Sequence, residues 1–136
     1  MYDDSVRPVL DTGRWQLVVD EQVIAQHDGT TVTVRLAPGH TAGHLVVEIR
    51  HPGGGAVMSG DLIHHPVQLG HPDLCQGGDA DPGVARASRG ALLQRCIDEN
   101  LLLMPSHFAV DAPLRVELDQ QDRPQLTPLD PTQLGR

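Results

Sequence analysis

Three polar residues stand where the chain turns after an apolar run. His40 follows TVTVRL and the turn-forming APG, Asp61 follows AVMSG, and His107 follows LLLMPS. Imidazole nitrogen and carboxylate oxygen are suitable ligands for zinc and comparable divalent ions. Each residue lies just past the carboxyl end of an expected strand, where open α/β sheets collect ligands and reacting groups. Gly39, Gly60 and Ser106 stand directly before them, and small residues of this kind let the backbone bend so that side chains converge. Taken singly, each has an ordinary alternative as a cap, a solvated residue or a turn former. The recurrence of the same placement three times is what points to a metal site.

The elements that must position these residues are legible in outline. Residues 14–24, RWQLVVDEQVI, read as a strand, a turn at Asp20-Glu21 and a short second strand. The Asp28-Gly29 pair signals a hairpin, and residues 31–36, 45–50 and 56–60 follow as strands separated by APGHTAGH and HPGGG. Residues 61–80 carry no clear period and are rich in His, Pro, Gly and Asp, which marks a long loop. Asp81-Pro82 offers a cap with proline at the first helical position. Val84, Ser88, Ala91, Leu92 and Cys96 then fall on one side of a helix over about 82–100. LLLMP is expected as a buried strand and RVEL as a last short one. The domain is therefore placed at 1–118, with 119–136 as a loose, polar, proline-rich tail.

Composition narrows the function classes. The 136 residues suit one domain, and the formal charge of −8 with no lysine leaves no basic groove for a nucleic-acid backbone. No run approaches the ~20 apolar residues of a membrane span. Cys75 and Cys96 show no CxxC spacing and read as two ordinary thiols of a reducing compartment, so a cytoplasmic location is expected.

GHTAGH, followed by SGD, a helix and a strand ending in SHF, resembles the C-terminal half of the metallo-β-lactamase superfamily. SGDLIHHPVQLGHPD, DADP and LLLMPSHF look most similar to the branch containing methyl parathion hydrolase and the acyl-homoserine lactonases. The likeness runs from about Ser5 to Leu118. It implies an α/β fold, the second half of an αββα sandwich. His40 would complete one metal site, Asp61 would bridge two metals and act in catalysis, and His107 would complete the second site. The implied chemistry is hydrolysis of an ester, lactone or phosphoester by a metal-bound hydroxide held between two ions about 3.5 to 4 Å apart. Zinc is the expected ion, with Mn, Fe and Co acceptable to the same donors. His44 would support the His40 loop without binding metal. His64 and His65 would line a substrate pocket or sit in a rigid surface loop, and His27, His51 and His71 are read as solvated.

The superfamily's other signature, HxHxDH, is absent from this sequence. Three ligands without it would hold one metal weakly, since a catalytic zinc usually takes three protein ligands by itself. The missing half would also leave an apolar sheet face uncovered. Three expectations follow: a fragment of a longer enzyme, pairing with a partner chain or with itself to rebuild the second layer, or a non-catalytic half-domain that associates through the exposed face.

Overall fold

A computed structural model describes residues 2–71, 73–109 and 112–129. A π-helical turn at Tyr2–Val6 leads into α1 (Arg7–Asp11). The strands are β1 (Val23–His27), β2 (Thr30–Leu36), β3 (Leu45–His51) and β4 (Gly54–Met58). A 3-10 turn at Gly60–Leu62 comes next, followed by α2 (Val67–Gly70), α3 (Pro82–Asp98), β5 (Leu101–Met104), β6 (Leu114–Leu118) and β7 (Pro124–Pro128). The seven strands form one mixed sheet in chain order. All neighbours are antiparallel except β4 and β5, which are parallel and joined through α3.

That topology decides where the three polar residues go. β2 and β4 both run antiparallel to β3, so they share a direction, and β5 shares it by pairing parallel to β4. The carboxyl ends of β2, β4 and β5 therefore lie along one edge, with the start of β3 between them.

The core sits between the sheet and α3. Alternation along the strands sends Val46, Val57, Leu101, Leu103, Leu114 and Val116 to the helix side, where they pack with Leu62, Ile63, Leu92, Leu93 and Cys96. Asp81 caps α3 by accepting the Val84 N–H at 3.0 Å, ahead of Pro82 at the first helical position. The buried stripe of α3 is Ala85, Arg89, Leu92, Leu93 and Cys96. Leu92 and Cys96 lie on it as expected, whereas Ala85, Arg89 and Leu93 take the places expected for Val84, Ser88 and Ala91, with an arginine rather than an apolar residue at its centre. Cys75 is exposed and Cys96 buried, both unpaired.

Two other segments differ from expectation. Residues 14–19 form no strand; among the described residues no strand pairs with them, and Leu17 and Val19 stay largely exposed. Conversely, the segment read as a loose tail contributes β7, whose Gln125, Leu126 and Thr127 pair with Glu117, Val116 and Arg115. Proline is compatible with this edge position, where one side of the strand needs no hydrogen bonds. Residues 130–136 lie outside the described set.

The opposite face of the sheet is apolar too. Register places Val34, Val47, Met58 and Met104 in one cross-strand row, and Val32, Ile49, Ala56 and Leu102 in the next. Among the described residues the helices packed on the sheet are α3, against β5 and β6, and α2, beside β7. No helix of the described chain is long and apolar enough to cross a membrane.

Candidate metal centre

The common sheet edge brings His40, Asp61 and His107 together. Asp61 presents a different oxygen to each imidazole: His107 Nε2 lies 2.7 Å from Oδ1 and His40 Nε2 lies 3.3 Å from Oδ2. The His107 hydrogen bond holds the Asp61 carboxyl below its usual range against the opposing effect of slight burial, with His40 and His64 adding to the lowering.

Two glycines make the approach possible. Gly39 has φ +127°, and a Cβ there would lie 2.1 Å from the Ala85 nitrogen, so the His40 loop can seat on the start of α3 only without a side chain. Gly60 has φ +52°, and its Cβ would come 2.9 Å from His44 Nε2. Backbone staples complete the seating: Ala80 N–H donates to the His40 carbonyl, Asp81 N–H to the Gly39 carbonyl, and the Ser88 hydroxyl to the Pro38 carbonyl at 2.7 Å.

His44 ties two of the loops together. A carbonyl can only accept and a backbone N–H can only donate, so its ring is protonated on Nδ1. It donates there to the Ala37 carbonyl at 3.0 Å, and Nε2 accepts from the Asp61 N–H at 3.0 Å. The turn carrying Asp61 and the loop carrying His40 are thus held by one imidazole.

His64 stacks on His107, ring centroids 4.4 Å apart and planes 13° from parallel. Asp61, His64 and His107 each bring a ligand atom within 4.8 Å of the others. Stacked rings, however, cannot both direct in-plane lone pairs at one ion without one of them turning. His64 Nε2 is already met by the Gln76 amide nitrogen at 3.2 Å, and that amide is oriented because its oxygen accepts the Gly78 N–H. Nδ1 of His64 is buried and has no hydrogen-bond partner among the described residues. Burial, reinforced by the neighbouring His107, pushes the ring away from its charged form. His64 is therefore a wall of the centre, braced against His107. His65 lies further along the same turn, its Nδ1 accepting the Val67 N–H at 3.1 Å. His27 and His51 are exposed strand-end residues and His71 is an exposed loop residue, none of them at the centre.

The loop at 61–80 supplies a group that pattern reading passed over. Asp79 Oδ1 is 3.2 Å from His40 Nδ1, while its Oδ2 accepts the Gln76 N–H at 3.3 Å. Its Oδ2 also faces the Arg89 guanidinium at 3.9 Å. Arg89 is itself buried and donates to the carbonyls of Leu62 and Leu74, which ties the Asp61 turn to α3. Proximity of Asp79 to the cap residue Asp81 was the available signal, but a carboxylate before a helix has many uses.

The donor set fits a divalent cation. His40 meets a carboxylate at each nitrogen, yet a neutral imidazole has only one N–H to give. In that form one of the two contacts sets acceptor against acceptor, and either a second ring proton or a divalent ion would relieve it.

No family sequence model and no curated protein matches the chain. Solved structures do. The hydrolase AbOPH of the β-lactamase superfamily superposes with a TM-score of 0.77 at 20% identity, over 93% of this chain and 42% of that one. AidC, a dizinc quorum-quenching lactonase, gives 0.68 at 25% identity over 80% of this chain and 37% of its own. A probable metal-dependent hydrolase from Staphylococcus aureus gives 0.59 at 16% identity, over 83% and 40%. The fold is thus a partial metallo-β-lactamase fold, and the chain spans well under half the length of each of these relatives.

Proposed function

We propose that this chain carries part of the site of a metal-dependent hydrolase acting on a small ester, lactone or phosphoester, with zinc as the ion. The observation that carries the reading is the Asp61 carboxylate with one oxygen toward His107 and the other toward His40, at the edge where three strands of common direction end. The similar structures support it, two being named as hydrolases and one as a dizinc lactonase. His40 with one Asp61 oxygen would belong to one ion site and His107 with the other oxygen to a second, Asp61 being the bridge. Bound there, the metal would supply Lewis acidity and an activated water. Asp61 spans the centre and sets the separation of the two imidazoles. His44 fixes the Asp61 turn against the His40 loop, and His64 shields one flank of His107 from water. His65 would stand near the mouth of the same region.

Three ligands are few for such a centre, and the apolar rows Val34–Val47–Met58–Met104 and Val32–Ile49–Ala56–Leu102 support a second component of the reading. That face would be covered by a partner chain supplying further ligands, or by a second copy. If association is its whole purpose, the chain is a non-catalytic half-domain.

The test is metal analysis after exchange into Zn, Mn or Co, together with hydrolysis assays on a lactone, an aryl ester and a phosphotriester, with Asp61→Asn and His107→Ala as controls. Bound metal that both substitutions remove is expected. No metal and no turnover, with any co-encoded partner present, would sink the enzymatic reading. Association is tested separately by sedimentation of Ile49→Asp, which should dissociate an assembly that the histidine variants leave intact.

A further inference from the structure

We infer that Asp79 is the positioning residue of the centre. It takes the single proton of His40 at Nδ1 and so delivers the Nε2 lone pair toward Asp61. The inference rests on the metal-site reading above but makes a claim that can be checked without any metal.

His40 stands between two carboxylates of very different surroundings. Nδ1 is 3.2 Å from Asp79, whose side chain is 1% exposed, and Nε2 is 3.3 Å from Asp61, whose side chain is 45% exposed. At such similar distances, burial decides which contact receives the proton. Water can hydrate the Asp61 oxygen that His40 does not serve, whereas a buried carboxylate oxygen left without a donor bears the full desolvation penalty. Among the described residues, His40 approaches Oδ1 of Asp79 and the other donors approach Oδ2. The Gln76 N–H and the Arg89 guanidinium both approach Oδ2. The Gln76 amide nitrogen also lies 3.3 Å from His40 Nδ1 and has a second N–H beyond the one directed at His64 Nε2, but a donor there would leave the buried Asp79 Oδ1 facing a lone pair, the costlier arrangement.

The ring is therefore held by a buried acceptor on one nitrogen and open on the other, which is the arrangement by which a carboxylate orients a metal-binding histidine and raises its basicity. Arg89 couples this brace to the rest of the site. Its guanidinium faces Asp79 and its Nε donates to the carbonyl of Leu62, the residue after Asp61. Displacement of α3 would move both ligand-bearing loops together.

The experiment uses the whole chain with 15N-labelled histidine. Long-range 15N–1H correlation of the metal-free protein reads which His40 nitrogen is protonated, and Co or Zn titration reads affinity. In the wild type Nδ1 should carry the proton. Asp79→Leu should move it to Nε2 and weaken metal binding by about 10- to 100-fold. Asp79→Asn, which keeps the shape and can still accept the Nδ1 proton through its amide oxygen, should leave the tautomer in place and weaken metal binding by less, and it answers for any folding defect of the leucine variant. A purely structural role would leave the tautomer alone in Asp79→Leu as well. A His40 tautomer identical in wild type and Asp79→Leu, or an Nε2 proton in the wild type, overturns the inference. If instead the tautomer shifts as stated but neither protein binds metal, the positioning claim stands and the hydrolase reading falls.

Discussion

Two polar clusters are built on this sheet, and they are balanced in opposite ways. Around Glu48, buried on the helix side of β3, every carboxylate oxygen meets a guanidinium. Oε2 accepts from Arg35 Nε at 3.1 Å and Arg95 at 2.8 Å, Oε1 accepts from Arg50 Nε at 2.5 Å, and Arg95 and Arg50 both continue to Glu99. Around Asp61 and Asp79 the side-chain partners are mainly imidazoles, with the Gln76 N–H on Asp79 and the Arg89 guanidinium 3.9 Å from it. Burial alone would raise the pKa of Glu48, yet hydrogen bonds and charge from Arg95 and Arg50 prevail and lower it. The first cluster is electrostatically complete, which is what a stabilising network requires. In the second, imidazole nitrogens face carboxylate oxygens at the sheet edge, which is the donor set a divalent ion would use.

The contrast is broken most severely at Glu48. Glu48→Ala leaves three arginines facing one another and should lower the unfolding free energy by about 3 kcal/mol, as removal of one partner from a buried ion pair does. Urea unfolding measures it, and metal binding by the folded fraction should stay as in the wild type. A loss below about 0.5 kcal/mol, the size of an ordinary surface substitution, would mean that the network is decoration.

Asp61→Asn should show the reverse profile. Half-exposed and held only by imidazoles, Asp61 can lose its charge with less than about 0.5 kcal/mol of change in the unfolding free energy of the metal-free protein. Metal affinity should fall about 100-fold, roughly 2.8 kcal/mol, because under the proposed function this carboxylate would contact the ion. Calorimetric titration with zinc gives the second number. Equal loss in both measurements would erase the distinction between the clusters.

What could be read from the chain follows the same division. His40, Asp61 and His107 stood out because strand alternation and turn residues are local signals, and the sheet then needed only a common direction for β2, β4 and β5 to bring them to one edge. Asp79 and Arg89 did not stand out. Their partners are backbone carbonyls, a distant imidazole and each other, none of which leaves a period in the sequence. A buried arginine also runs against the rule that arginine is seldom fully buried, so the pattern of α3 gives Leu92 and Cys96 but not Ala85, Arg89 and Leu93. The strand expected at 14–19 had the right alternation but no pairing strand among the described residues, and β7 was hidden by the prolines that an edge strand tolerates.

The smallest expected effect sharpens the comparison through acid. Hydrogen bonds from Arg95 and Arg50 bring Glu99 down from 4.5 to about 2. Because the folded value lies below the unfolded one, folding favours the ionised carboxylate. Its contribution is full above about pH 4.5 and is lost as pH falls through about 2. Glu99 is more than a third exposed, so solvent screening holds that contribution to about 1 kcal/mol or less. Unfolding free energies of wild type and Glu99→Gln, measured from pH 7 to pH 2, should differ by that amount at the upper end and converge at the lower. Parallel curves over the whole range would show that Glu99 draws nothing from the arginines, and that the network ends at Glu48.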